Sequence, residues 1–293
     1  MVSHIVAGES YHVNNRLYRM FTVKTTLERL KKKNKDRVYI VDGTEGVGKS
    51  TFAFQQAGVI DPDMFKDVKT FLSRICFTPE EFFNAVRTIR NGVIIFDEAF
   101  RGLSSRSALS KVNKKIVQAL MEMRQNNNLI FIVLPSFFLL DIYPAMLRSN
   151  GLFHIYEDKK NDKTAWMFYN KDDKGDLYQL GLKKGWKYII KGKLSGYFYN
   201  KFPGGDLYRK AYEKKKLQSL REMDLEDERQ DKRDIQLAQL TYLYKTDLNM
   251  SEKKMSARFK QVGLVLSPAA IGQRYRKVRD ELEKAEKRLV NTT

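Results

Sequence analysis

Apolar and polar positions follow two rhythms along this chain, and the change of rhythm divides it. Three short runs are apolar throughout: Val38-Tyr-Ile-Val41 closed by Asp42, Val93-Ile-Ile-Phe96 closed by Asp97, and Leu129-Ile-Phe-Ile-Val-Leu134. Runs of that length between polar or glycine stops predict strands buried on both faces, the habit of a parallel sheet. Ser73-Arg-Ile-Cys-Phe77 is a weaker fourth. Helical spacing fills the gaps at Ser50–Ala57, at Pro79–Arg90 and at about Ser110–Gln125, with Thr78 as N-cap and Pro79 at the first helical position of the second. Strand and helix in alternation predict an open α/β sheet. Residues 1–37 form a strand-like or irregular lead-in, ending in a short basic helix from about Thr26 to Lys33.

After Leu152-Phe-His-Ile-Tyr156 the texture changes. Thr164–Tyr169 and Asp176–Leu180 flank the turn-rich Asn170-Lys-Asp-Asp-Lys-Gly175, which predicts a β-hairpin. Residues 207–235 predict a charged, exposed helix. Three more helices follow, at about Asp234–Lys245, Ser251–Val262 and Ser267–Lys287. Ser251 caps the second, Gly263 ends it, and Ser267-Pro268 starts the third. The expected domains are 1–157, a β-rich extension at 158–206, a linker helix at 207–234 and a helical domain at 235–293.

Composition narrows the function. At 42% hydrophobic the chain can build a core. Its one cysteine, Cys76, excludes a disulfide framework, and its three histidines, His4, His12 and His154, lie far apart in sequence, so zinc hydrolysis is not expected. No basic segment leading into an apolar stretch opens the chain, and the longest apolar stretch is interrupted by Pro135. A cytoplasmic protein with no membrane partner is expected (host cytoplasm, if viral).

Charge adds a partner. The formal net charge is +19, which favours a polyanion such as nucleic acid. The excess is densest at 181–220, which holds 11 bases and 2 acids. There lysines, Lys191 and Lys193 among them, interleave with aromatics from Trp186 to Tyr212, a pattern suited to a single-strand groove. The same aromatics would equally serve as the core of a small β-subdomain.

The sharpest motif follows the first apolar strand. Gly43-Thr44-Glu45-Gly46-Val47-Gly48-Lys49-Ser50 is a full G-x-x-x-x-G-K-S phosphate loop, with Thr51 next. Its glycines let backbone N–H groups turn toward a phosphate, Lys49 reaches the β- and γ-phosphates, and the Ser50 hydroxyl ligates Mg²⁺. The strand ending in Asp97-Glu98 supplies its complement: Asp97 holds the metal, and Glu98 polarises the attacking water. ATP and Mg²⁺ are the expected cofactors.

With these motifs the chain resembles the P-loop ATPases that carry an additional central strand and a catalytic glutamate. Within them it is most similar to HerA/FtsK-type DNA-pumping ATPases, including viral packaging and zonula-occludens-toxin-like members. The resemblance covers residues 38–157. It implies a homo-oligomeric ring and a polar sensor after the third strand, for which Ser136 is the candidate. It also implies an arginine finger, for which Arg148 leads Arg106, Arg101 and Arg124. The C-terminal helices have helix-turn-helix proportions, with Gln273, Arg274, Arg276 and Lys277 placed for a major groove. A bundle for oligomerisation is the alternative there.

The leading expectation is an ATP-hydrolysing, DNA-stimulated motor that translocates or packages double-stranded DNA for a virus or mobile element, with a portal or replication protein as possible partner. The rival is a DNA-binding ATPase switch such as a replication initiator, helicase loader or partition protein. A nucleotide or small-molecule kinase is weaker, because the Asp-Glu pair points to water as the acceptor. The acids at 157–176 fall in expected turns, so no nuclease is expected.

Overall fold

The computed structural model describes residues 1–97, 106–122 and 126–290. They divide into two compact units, Met1–Ser219 and Leu220–Thr293.

The first unit is built on a seven-stranded sheet. Its strands are β3 (Arg37–Gly43), β4 (Ile75–Cys76), β5 (Val93–Phe96), β6 (Leu129–Val133), β7 (Gly151–Asp158), β8 (Lys163–Tyr169) and β9 (Leu194–Tyr197). They lie in the order β4-β5-β6-β3-β7-β8-β9. The first five are parallel and the last two antiparallel, so the sheet is mostly parallel. β6 separates β3 from β5, with Val38 opposite Ile130 and Ile94 opposite the same residue. β5, β6 and the Val38–Val41 run of β3 are apolar at every position because both faces are covered. Tyr39, Val41, Phe131 and Ile95 join one core, while Val38, Ile40, Ile130 and Ile94 join the other.

Helices supply both covers. On the first face lies α3 (Lys49–Ile60), buried from Phe52 to Ile60 because a second layer covers it. That layer is the hairpin of β1 (Val2–Val6) and β2 (Glu9–Val13), whose Tyr11 hydroxyl donates to the Gln55 carbonyl at 2.8 Å. The lead-in continues through α1 (Asn15–Arg19), a π-turn (Met20–Lys24) and α2 (Leu27–Lys32), the last capped by Thr26. α4 (Val68–Ser73) precedes β4. The second face is covered by α5 (Pro79–Thr88) and α6 (Arg106–Glu122). Thr78 caps α5, accepting from Glu81 N–H at 3.1 Å, and Glu81 returns the favour to Phe77 N–H at 2.7 Å.

Two expectations are corrected. The hairpin expected across 164–180 is displaced: β8 pairs back with β7, and 171–183 form a helix, α7 (Lys171–Lys183). Asn170 is its N-cap rather than a turn residue, accepting from Asp172 N–H and Asp173 N–H at 3.0 and 2.9 Å. Lys174, Leu177, Tyr178 and Gly181, spaced three or four apart, form its buried face. The second correction is that no break separates a linker helix from Asp234–Lys245. Both belong to α8 (Gly205–Thr246).

The second unit holds the later residues of α8 with α9 (Glu252–Gln261) and α10 (Pro268–Val290). Met255, Phe259 and Ile271 form its small core, supported by Leu237 and Tyr244. Gly263, at φ +82°, turns the chain out of α9. Ser267 then opens α10 by accepting from Ala270 N–H at 3.2 Å. Among the described residues, no helix is long and apolar enough to cross a membrane.

Candidate functional site

β3 delivers its last residue, Gly43, directly into the phosphate loop, at the carboxyl end of the parallel strands. Gly43 sits at φ +144°, and a Cβ there would stand 2.1 Å from the Ile155 carbonyl oxygen, so the close approach of β7 admits only glycine. The loop is anchored by Val47, buried in the first core, while Thr44, Glu45 and Gly46 are exposed. Gly48, left-handed at φ +85°, precedes the first turn of α3. That turn presents Lys49, Ser50 and Thr51, all half-buried. The Lys49 ammonium folds back to the Thr44 carbonyl at 2.7 Å, closing the loop on itself.

Asp97, fully buried, lies just past β5. Its Oδ1 accepts from the Ser50 hydroxyl at 3.0 Å. This contact joins the two halves of the site across 47 residues of sequence. A hydroxyl and a carboxylate so paired, at the start of a helix with a glycine-lined loop before it, are the oxygen donors a magnesium–nucleotide needs. The residues present therefore fit ATP and Mg²⁺.

Two further residues belong to this site, and no spacing along the chain reveals them. The Tyr212 hydroxyl, from the first turns of α8, donates to Asp97 Oδ2 at 2.5 Å. Tyr212 was visible only as one aromatic of the basic stretch. Asn200 packs its side chain against Gly48, where a Cβ would meet it at 2.7 Å. The segment after β9 that carries it is pinned to α3 by Gln55, whose amide donates to the Tyr199 and Lys201 carbonyls at 2.6 and 2.8 Å.

A second buried aspartate stands beside the loop. Asp42 is fully buried at the end of β3, facing His154 on β7 in register. Its Oδ1 is 2.9 Å from His154 Nδ1, while Oδ2 accepts from Phe137 N–H at 2.8 Å and from the Tyr188 hydroxyl. The His154 and Tyr188 rings stack with centroids 3.8 Å apart. Burial first, then the Asp42 charge, holds the Tyr188 hydroxyl well above its ordinary value, so it remains a donor. An acid ending an apolar strand needs such partners, which was the one hint in the sequence.

The other expected residues are placed as follows. Ser136 follows β6, next to this cluster, where it meets Tyr188. Glu98, Arg101 and Arg124 lie outside the described residues, as does the side chain of Arg106. Arg148 is not brought to the phosphate loop. It pairs with Asp36 before the start of β3, the end opposite Gly43, and its Nε donates to the Leu120 carbonyl at 3.2 Å. With only 12% of its side chain exposed, it ties α6 to the segment that leads into β3. Lys191 and Lys193 are exposed beside β9. In the second unit Gln273, Arg276 and Lys277 are exposed on one face of α10, whereas Arg274 turns back toward Asp234 at 3.4 Å.

No family model matches the chain, and no curated protein sequence matches it. Among solved structures, it is similar to the N-terminal domain of zonular occludens toxin from Neisseria meningitidis. The TM-score is 0.35 at 16% identity, over 56% of this chain and 94% of that one. A likeness of that size transfers no residue roles.

Proposed function

We propose that this chain binds ATP with Mg²⁺ in the loop 43–50, hydrolyses it, and couples hydrolysis to the movement of DNA as a homo-oligomeric ring. The observation that carries the hydrolase reading is the Ser50–Asp97 hydrogen bond, made across a sheet in which β6 separates the strands bearing the two halves. The loop's backbone amides cradle the phosphates, Lys49 leaves the Thr44 carbonyl to meet them, and Ser50 and Asp97 supply the oxygens for the metal. Bound Mg²⁺ would neutralise charge developing on the transferred phosphoryl group. Tyr212 holds Asp97 in the orientation that Ser50 shares. Glu98, the next residue in sequence, is the proposed acceptor of the water proton. DNA as partner rests on the +19 charge and on the exposed basic face of α10.

A switch without translocation is the second reading. The Tyr212–Asp97 bond favours it, because α8 leads in sequence from the metal acid to the helices carrying Gln273, Arg276 and Lys277. Steady-state ATP turnover with and without DNA, with sizing in ATP, separates the two. A motor is expected to assemble in ATP and keep its DNA stimulation when Arg276 and Lys277 are both changed to Ala. A switch loses that stimulation. Lys49→Ala is expected to abolish turnover in either case, and near-normal turnover in that variant removes the hydrolase reading.

A further inference from the structure

At the end of β3 opposite the phosphate loop, a cavity of about 740 Å³ opens on the surface of the first unit. Distant segments build its walls: Arg16 and Arg19 come from α1, Arg37 and Tyr39 from β3, Phe168 from β8, and Lys193 from just before β9. Four cations thus converge, and among the described residues no acid lines the cavity. None of the four forms an ion pair among those residues either. Like charges gathered around one hollow repel one another. Such an arrangement is relieved by a bound anion.

A second hollow, of about 220 Å³, adjoins through Arg37 and adds Arg29, Lys33 and Lys35. It too has no acid among its described lining residues. Arg37 lines both hollows, so seven cations border them together, more positive charge than a single phosphate or mononucleotide can neutralise. Repeated, evenly spaced negative charge is the property of a phosphodiester chain. The wall of the larger cavity adds a second requirement. Tyr39 and Phe168, both otherwise buried in the first core, line it with Met20, Val23 and Leu194, so its wall suits a ligand with a flat apolar group between its charges. In a duplex the bases are paired and stacked inside, out of reach of such a wall. An unpaired strand can turn a base onto it while its phosphates follow the cations.

We propose that these hollows form a binding groove for single-stranded nucleic acid, separate from the ATP site: one nucleobase seats over Tyr39 and Phe168, and the flanking phosphates lie along Arg16, Arg19, Arg37 and Lys193. The proposal names the form of nucleic acid this chain engages, and it rests on the reading of DNA as partner but not on hydrolysis. The two are therefore separable, because strand binding is measured without ATP.

The test uses the full chain and a fluorescent oligonucleotide, single-stranded and then annealed to its complement, titrated by anisotropy over a series of salt concentrations. Arg16, Arg19 and Lys193 are changed together to Ala. Lys159, Lys160 and Lys184, exposed on the same unit, are changed to Ala as a charge-matched control. The groove variant is expected to bind the single strand ~10-fold or more weakly and to lose ~2 from the slope of log affinity against log salt, three contacts at ~0.7 each. The control keeps both values, and the native protein prefers the single strand to the duplex. Should the triple variant fail to fold, Arg19→Ala and Lys193→Ala singly are each expected to lower the slope by ~0.7. Equal losses in groove and control variants overturn the proposal. So does a duplex that binds as tightly as the single strand and is weakened equally by the groove changes.

Discussion

Asp42 and Asp97 are the same residue in nearly the same place. Each ends an apolar parallel strand, each is fully buried, and each accepts from a tyrosine hydroxyl supplied by a later segment of the chain. They differ in what else they hold. Asp42 is engaged by His154, Tyr188 and the Phe137 amide, a set drawn from β7 and from loops covering the second face. Asp97 shares one oxygen with Ser50, in the first turn after the phosphate loop. A buried carboxylate surrounded by fixed donors is structural. One paired with the hydroxyl of a phosphate loop is poised for a metal. The partners decide the role, not the position at a strand end.

Exchanging each acid for its amide is the strongest way to break that comparison. Asp97→Asn is expected to lower Mg²⁺-dependent ATP turnover by ~10²-fold or more while the protein stays folded. Asp42→Asn is expected to cost ~3 kcal/mol of stability, because it removes the buried charge and turns one acceptor oxygen into a donor facing either His154 or the Phe137 amide and Tyr188 hydroxyl. Its turnover per folded molecule should stay within a few-fold of native. Calorimetry and turnover on the same preparations check both, and a reversal of the two outcomes would undo the assignment.

Much of this was legible in the sequence, for a physical reason. β3, β5 and β6 are buried on both faces, so their apolar runs are unbroken. The phosphate loop needs glycine where the backbone must turn or be approached closely, as at Gly43. Both are local signals. What the sequence hid was of two kinds. Asn170-Lys-Asp-Asp contains residues that serve turns and helix caps equally, and only the buried face of α7 decides between them. The partners of the two aspartates were invisible for a different reason. His154 lies 112 residues from Asp42, and Tyr212 lies 115 from Asp97. Such pairs are set by sheet register and helix docking, which no local pattern encodes. The pairing of Arg148 with Asp36, 112 residues away, is of the same kind.

Tyr212→Phe sharpens the comparison with a smaller effect. It removes one donor from Asp97 and leaves Ser50 in place. We expect kcat to fall by ~10-fold, with ATP affinity retained and stability changed by about 1 kcal/mol. An unchanged kcat would mean that Tyr212 does not orient the acid.

The smallest effect lies away from both aspartates. Lys174 is buried with no ion pair among the described residues, and its ammonium donates to the Ala145 and Met146 carbonyls at 2.5 and 2.9 Å. Burial, aided by the nearby Lys171 charge, pulls it down to about 8. Above that pH the folded protein has released a proton that the unfolded chain still holds, so stability rises with pH until the ordinary lysine value is approached. Chemical denaturation between pH 7.5 and 9.5 should show that rise, and Lys174→Met should flatten it. The same slope in the variant would assign the rise to other groups.

The most direct test of the site is the effect of Mg²⁺ on ATP affinity, measured by equilibrium titration in Mg²⁺ and in EDTA, for the native chain and for Asp97→Asn. If Ser50 and Asp97 together hold the metal against the nucleotide, Mg²⁺ tightens ATP binding to the native chain. The variant then keeps its EDTA affinity and loses that tightening. An Asp97→Asn protein that gains as much affinity from Mg²⁺ as the native one would contradict the account.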